Sequence, residues 1–143
     1  MPSLKEHAKA FYATLDAQDW IRLRNLVTPD LTVQLGSAPP ISLGAWEASL
    51  RMFYTGFPDG HHRIDDSIAD GGSVVTRCWF EGTHRGAFAA VAPSGAKISV
   101  GVIHIDRYRD DKVAEQFGQL DMHGLLRQIT GAADEDSPQN SVP

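Results

Sequence analysis

The order in which two sequence patterns occur constrains this fold more than any other feature of the chain. Before the turn FPDG at residues 57–60, apolar side chains recur at three- and four-residue spacing, as on one face of a helix. Beyond residue 60, runs rich in β-branched and aromatic residues alternate with the turn signals DGG, PSG and RDDK. Helices followed by a meander of strands predict an α+β domain, in which helices cover one face of a strongly curved antiparallel sheet.

Three helices are predicted in the first part of the chain. Ser3 followed by Glu6 forms a capping box ahead of a helix over roughly residues 4–16. Asp19 is placed to cap a second helix, which ends before a proline and is followed by the short strand LTVQL. Ser42 precedes a third helical pattern, which stops at the FPDG turn.

Length and composition favour one compact domain. The chain has 143 residues and a hydrophobic content of 42%, which suits a single core. We assign this domain to residues 1–131. The segment AADEDSPQNSVP at residues 132–143 is acidic and rich in Ser and Pro with little to bury, so we predict a disordered acidic tail.

Charge and hydropathy narrow the range of partners. The formal net charge of −5 provides no basic surface for a phosphate backbone, so no nucleic acid partner is expected. The segment MPSLKEHAK lacks the apolar core of a signal peptide, and no apolar run approaches the ~18 residues that cross a bilayer. We therefore expect a cytoplasmic protein without a membrane partner. Cys78 is the only cysteine, which excludes an intrachain disulfide.

The two-residue period of a strand predicts which side chains share a face. In the second strand of the meander, the more apolar of the two sets of alternating side chains ends at His84. In the third strand, a row of apolar side chains on one face ends at His104. In the last strand Phe117, Gln119 and Asp121 are in phase. If these faces form one concavity, two imidazoles and a carboxylate converge in an apolar cavity.

Each of these three polar residues also has a purely structural interpretation. Asp121 precedes an apolar helical run, where an aspartate is a common N-cap. His84 and His104, taken singly, are typical of histidines that satisfy a local hydrogen bond. A metal site built from all three is conceivable, although the short ligand spacings of known metal motifs are missing from the sequence.

Five motifs together resemble one protein family. They are FPD at 57–59, GTHRGAF at 82–88, PSGAKISVGV at 93–102, RYRDDK at 107–112 and D-x-x-G-L-L-R-Q at 121–128. In combination they resemble the SnoaL-like polyketide cyclases of the nuclear-transport-factor-2-like (NTF2-like) superfamily, over roughly residues 5–131. The resemblance implies a cone-shaped α+β barrel, also called cystatin-like, with helices packed on a curved sheet.

The resemblance also implies a reaction and its residues. Cyclases of this type close a ring by intramolecular aldol condensation and use neither a metal nor a cofactor. Their catalytic acid/base, an aspartate just before the final helix, falls on Asp121. The histidine of the GTH motif falls on His84, and a polar residue of the following strand falls on His104. We expect both histidines to hydrogen-bond the substrate carbonyls.

The expected ligand is a small, hydrophobic, polyketide-like molecule. A bulky aromatic that often precedes the catalytic aspartate in the family is replaced here by Gln119, and Phe117 is a candidate to serve instead. Together with these two, we expect the cavity to be lined by Tyr12, Trp46 and Phe53.

Two other functional classes and one assembly prediction accompany this interpretation. The superfamily's cone also serves as a ligand-binding module without chemistry, and related enzymes use the same cavity for isomerisation, hydrolysis or hydroxylation. The outer row Val75, Trp79, Ile103 and Ile105 is too apolar to face water, so we predict a homodimer or homotetramer.

Overall fold

The computed structural model describes residues 1–131, and the predicted tail at 132–143 lies outside these residues. Four helices and six strands follow one another in the described part of the chain. In chain order they are α1 (Leu4–Asp16), α2 (Trp20–Asn25), β1 (Val27–Leu35), β2 (Ile41–Ser42), α3 (Leu43–Gly56), β3 (His61–Asp70), β4 (Ser73–Thr83), β5 (Lys97–Arg109), β6 (Lys112–Leu120) and α4 (Met122–Thr130).

The helices begin where the sequence places their caps. The Ser3 side chain accepts a hydrogen bond from the Glu6 N–H, and the Glu6 carboxylate accepts one from the Ser3 N–H, which confirms the capping box of α1. Asp19 caps α2 by accepting from the Arg22 N–H at 3.1 Å. Ser42 precedes α3 as predicted, but its side chain makes no cap hydrogen bond.

The six strands form one curved sheet in the order β2-β1-β6-β5-β4-β3. Strands β3 to β6 pair antiparallel in sequence order, so the predicted meander is confirmed. Strand β1 pairs with β6 in parallel, which corrects the expectation of a purely antiparallel sheet. The two edge strands β2 and β3 are not paired with each other, so the sheet is not closed into a barrel.

A bulge interrupts the last two strands of the meander. Arg107 of β5 pairs with Glu115, whereas the next residue, Tyr108, pairs with Val113. Ala114 is therefore an extra residue on β6 without a partner on β5. An extra residue of this kind reverses the alternation of the strand that carries it.

The bulge changes which side chains of β6 face the helices. Gln116 and Gly118 are buried on the inner face, whereas Phe117 lies on the outer face, where the Arg107 guanidinium sits 5.3 Å from its ring centre. The predicted inward phase of Phe117 and Asp121 is therefore wrong. A simple two-residue period holds only within an uninterrupted ladder.

The core lies between the concave face of the sheet and the helices. Phe11 and Tyr12 of α1, Phe57 after α3 and Phe80 of β4 are at most 2% exposed. Burial of each such side chain contributes about 1.5–3 kcal/mol relative to exposure. Within residues 1–131, no helix is long and apolar enough to cross a membrane.

Candidate active site

A cavity of about 310 Å³ lies between α1, α3 and the concave face of the sheet. This volume is at the lower end of the range for small-molecule sites, about 300–1,000 Å³. The exposed side chains Leu35, Gln119 and Met122 lie at its mouth. Its walls are mostly apolar and include Leu15, Trp46, Leu50, Phe53, Phe80 and Leu120. Its principal polar groups are His62, His104 and Gln116.

His62, the second residue of β3, is fixed to the end of α1 by Asp16. Its backbone N–H donates to Asp16 Oδ2 at 2.7 Å, and its ring Nδ1 lies 2.7 Å from Asp16 Oδ1. The Tyr54 hydroxyl of α3 donates to the same Oδ1 at 2.8 Å. Burial, and then the Asp16 charge, raises the pKa of Tyr54 well above its usual range, so this phenol remains a donor. Asp16 thus joins α1, α3 and β3.

The hydrogen bond to Asp16 assigns the tautomer of His62. A carboxylate only accepts hydrogen bonds, so a neutral His62 ring carries its proton on Nδ1. The Nε2 lone pair is then available on a side chain that lines the cavity, and no residue in the described part of the chain hydrogen-bonds to Nε2. The ring packs against Tyr12 at 5.1 Å and Phe80 at 5.3 Å between ring centres.

His104 lines the same end of the cavity from β5. Its ring centre is 6.2 Å from that of His62 and 5.3 Å from that of Tyr12. One side of the ring faces the cavity, while its Nδ1 is buried and has no hydrogen-bond partner among residues 1–131. Burial, and then the neighbouring His62, lowers the pKa of His104 to about 3. The ring is therefore neutral near pH 7, with one N–H donor and one acceptor nitrogen.

The absence of a side chain at Gly118 makes room for the His104 ring. Gly118 of β6 pairs with His104 across the sheet. A Cβ at this position would lie 3.0 Å from His104 Nδ1 and 3.2 Å from Leu35 Cδ2. Any larger residue would therefore push the imidazole or the cavity wall out of place.

A buried carboxyl group holds Tyr12 behind the two imidazoles. The Tyr12 hydroxyl donates to Asp106 Oδ2 at 2.5 Å, and Gln116 Nε2 donates to Asp106 Oδ1 at 2.8 Å. Burial raises the pKa of Asp106 to about 6, although both hydrogen bonds act in the opposite direction. Tyr12 itself is 1% exposed and packs against both imidazoles from behind the cavity wall.

The structure brings some of the residues predicted from sequence to this cavity and leaves others elsewhere. Those that line it are Trp46, Phe53, His104 and Gln119. Tyr12 lies behind its wall, and Phe117 is on the opposite face of the sheet.

His84 is buried, but in the loop that follows β4 and not in the cavity wall. Its Nδ1 accepts from the Ser94 N–H at 3.1 Å and lies 2.9 Å from Ser94 Oγ. The ring also contacts Phe57, at 5.6 Å between ring centres. These contacts fix the loop between β4 and β5.

Asp121 is exposed and caps α4, with Oδ1 accepting from the Gly124 N–H at 2.8 Å. It lies between two residues that line the cavity, Leu120 and Met122, but its own side chain borders a wider, more open depression of about 390 Å³ on the outer face of the sheet, beside Trp79 and Ile103. The expected convergence of Asp121, His84 and His104 in one cavity is therefore wrong. Within residues 1–131, no three potential metal-ligating side chains are clustered to hold an ion. The catalytic roles of Asp121 and His84 stay predictions from the family resemblance, and neither side chain lines the cavity.

Sequence reasoning missed the Asp16–His62 pair and the inward position of Gln116. The adjacent His61 and His62 must point to opposite faces of β3, and the pairing of His62 with Phe80, an apolar inner residue, shows which one faces inward. No local signal marks Asp16, because its partner lies 46 residues away along the chain.

Helices packed on the concave face of a curved open sheet, with a largely apolar cavity between them, define a protein of the NTF2-like fold class. The chain belongs to the SnoaL-like polyketide cyclase family, whose model matches residues 5–129. No curated protein matches the sequence.

Solved structures of similar proteins agree with this assignment. IdmH from Streptomyces antibioticus, a proposed polyketide cyclase, is 25% identical with a TM-score of 0.81, and the match covers 90% of this chain and 99% of IdmH. TsrD from Streptomyces laurentii is 27% identical with a TM-score of 0.74, covering 88% and 91%. AclR from Streptomyces galilaeus, a proposed hydroxylase, shares the fold at 21% identity, with a TM-score of 0.87 and coverage of 96% and 87%.

Proposed function

We propose that this protein is an enzyme that closes a ring in a small polyketide-like molecule by intramolecular aldol condensation inside the cavity. The observation that carries the proposal is His104, a neutral imidazole that lines an apolar cavity with its ring centre 6.2 Å from that of a second imidazole, His62. A substrate carbonyl in the cavity would accept a hydrogen bond from the cavity-facing side of this ring.

The reaction needs a base and a hydrogen-bond donor at one end of an apolar cavity. A base removes a hydrogen that lies between two carbonyl groups, and the C–H electron pair becomes that of an enolate. The enolate carbon attacks a second carbonyl of the same molecule, a C–C bond forms, and the carbonyl π electrons move to its oxygen. This alkoxide takes a proton back, so protons and electrons balance within the substrate and the base.

His104 suits the role of donor. A neutral imidazole donates one N–H, and a donor aimed at a developing oxyanion in a dry site contributes about 3 kcal/mol to the barrier reduction. The apolar walls from Trp46, Phe53 and Phe80 favour a folded substrate whose reacting carbons are close, which removes an entropic part of the barrier.

Turnover of a synthetic linear β-polyketone ester tests this function. We expect the wild-type protein to accelerate ring closure, seen as a new chromophore and an isomeric or dehydrated product by mass spectrometry. His104→Phe should still bind the ester while turnover falls at least ~10²-fold. Equal turnover in the two proteins would contradict the role of His104, and binding without any turnover would favour a ligand-binding module.

Two coarser predictions accompany this proposal. A cytoplasmic location remains an expectation from the sequence. A homodimer is supported by the outer face of the sheet, where Ile103 is 47% exposed and Ile105 is 36% exposed beside Phe117. A second copy of the chain would cover this apolar row.

A further inference from the structure

We infer that His62, held by Asp16, is the general base of the cavity. The inference rests on the proposed function, because it supplies the proton acceptor which that reaction requires. It concerns a residue pair that joins α1 to β3 and that none of the family motifs above includes.

The first argument is the hydrogen bond that commits one nitrogen of the His62 ring to Asp16. Nδ1 is committed to Asp16 Oδ1 at 2.7 Å, so the other ring nitrogen, Nε2, keeps its lone pair. The His62 side chain lines the cavity and is 9% exposed, so this lone pair has few competitors in bulk water. Proton abstraction requires a base that is held in a fixed orientation and shielded from bulk water.

The second argument is the fixation of Asp16. This carboxylate accepts from the His62 N–H, from the Tyr54 hydroxyl and from His62 Nδ1, all at 2.7–2.8 Å. Two of the three bonds would hold the carboxylate in place even without the ring. Asp16 is therefore a positioning residue: it selects the tautomer of His62 and stabilises the imidazolium that forms when Nε2 takes a proton.

The third argument is the distance between the two imidazoles. With ring centres 6.2 Å apart, one carbonyl compound can contact both His62 and His104 within hydrogen-bond reach of about 2.6–3.2 Å. His62 then removes the proton as His104 donates to the carbonyl oxygen. The two histidines have different environments, since only His62 has a carboxylate partner.

The test uses 5-nitrobenzisoxazole, a planar apolar probe that reports a positioned base without any ring closure. A base takes the proton from C3, the C–H electron pair completes a nitrile, and the N–O bond breaks to release a coloured phenolate. We expect the wild-type protein to exceed free imidazole at equal concentration, and His62→Gln to lower kcat at least ~10²-fold. His61→Gln, on the opposite face of the same strand, is the matched control and should keep the wild-type kcat.

The variant Asp16→Asn tests whether Asp16 positions the His62 ring for catalysis or only supports the fold. An amide replaces one accepting oxygen by a donor, so we expect kcat to fall with KM unchanged and the ring ¹⁵N shifts of His62 to lose the Nδ1-protonated signature of the wild-type protein. If a variant does not fold, the His62 tautomer in the wild-type protein decides, and an Nε2-protonated ring would overturn the inference.

Two results would also overturn the inference: a folded His62→Gln with wild-type probe turnover, or a wild-type rate no higher than that of free imidazole. Probe turnover that depends on His62, combined with no ring closure of the polyketone ester, would support the base and contradict the proposed cyclase function.

Discussion

Replacing His104 by phenylalanine should change how stability depends on pH, and the structure gives the size of the change. In the folded protein burial lowers the pKa of His104 to about 3, whereas the ordinary value is 6.5. Between pH 6.5 and about pH 3, the His104 imidazole therefore binds a proton in the unfolded chain but not in the folded protein. The contribution of His104 to stability is intact above pH 6.5 and is lost progressively as pH falls toward 3.

At pH 5 the loss is already measurable. A pH of 5 is about 1.5 units below the pKa of His104 in the unfolded chain, which corresponds to a loss of about 2 kcal/mol in the free energy of unfolding. His104→Phe has no proton to bind at this position. The free energy of unfolding of His104→Phe minus that of the wild-type protein should therefore increase by about 2 kcal/mol between pH 8 and pH 5.

Urea unfolding of both proteins at pH 8 and pH 5 measures this difference. Asp106 is present in both proteins, and its pKa is set by burial, Tyr12, Gln116 and His62 and not by His104, so its own titration cancels in the comparison. At pH 8 the variant should be at least as stable as the wild-type protein, since it removes an unpartnered buried nitrogen. A difference that is the same at both pH values would show that His104 is not a buried neutral imidazole.

Three other predictions concern neighbouring features. The pKa of Asp106 is raised to about 6 from an ordinary 3.8, so its contribution to the free energy of unfolding is present below pH 3.8 and is lost as pH rises through 6. The free energy of unfolding of Asp106→Asn should therefore increase by about 2 kcal/mol relative to that of the wild-type protein between pH 4 and pH 8. A difference in urea unfolding that is the same at both pH values would contradict this. Gly118→Ala should lower stability by about 1–3 kcal/mol and also lower turnover, because its Cβ would meet His104 Nδ1 at 3.0 Å; unchanged melting would contradict the tight contact. Light scattering should give a dimer mass that Ile105→Glu reduces, and a wild-type mass of 15.6 kDa at micromolar concentration would refute the dimer.

The sequence predicted most of the elements because their signals are local. The capping box at Ser3, the helical spacing of α1 and α3, and the turns of the meander each depend on residues a few positions apart. The same is true of the resemblance to the cyclase family. These signals were enough for the α+β class and the order of elements.

The site was predicted less well because its geometry depends on distant contacts. One unpaired residue, Ala114, reverses the faces of β6 and takes Phe117 and Asp121 away from the cavity, and no turn signal marks such a bulge. His84 is buried as expected, but its partner is a loop serine and not a substrate. The link between Asp16 and β3 becomes visible only after the chain has folded.

The proposed chemistry takes place between His62 and His104 in the cavity, whereas the family resemblance implies Asp121 as the acid/base. The decisive measurement is ring closure of the β-polyketone ester by His62→Gln and Asp121→Asn, each checked for wild-type melting. We predict that His62→Gln loses at least ~10²-fold in kcat while Asp121→Asn, which keeps a capping side chain, retains turnover. Full turnover by His62→Gln with loss of turnover in Asp121→Asn would contradict the account and place the acid/base at the α4 cap.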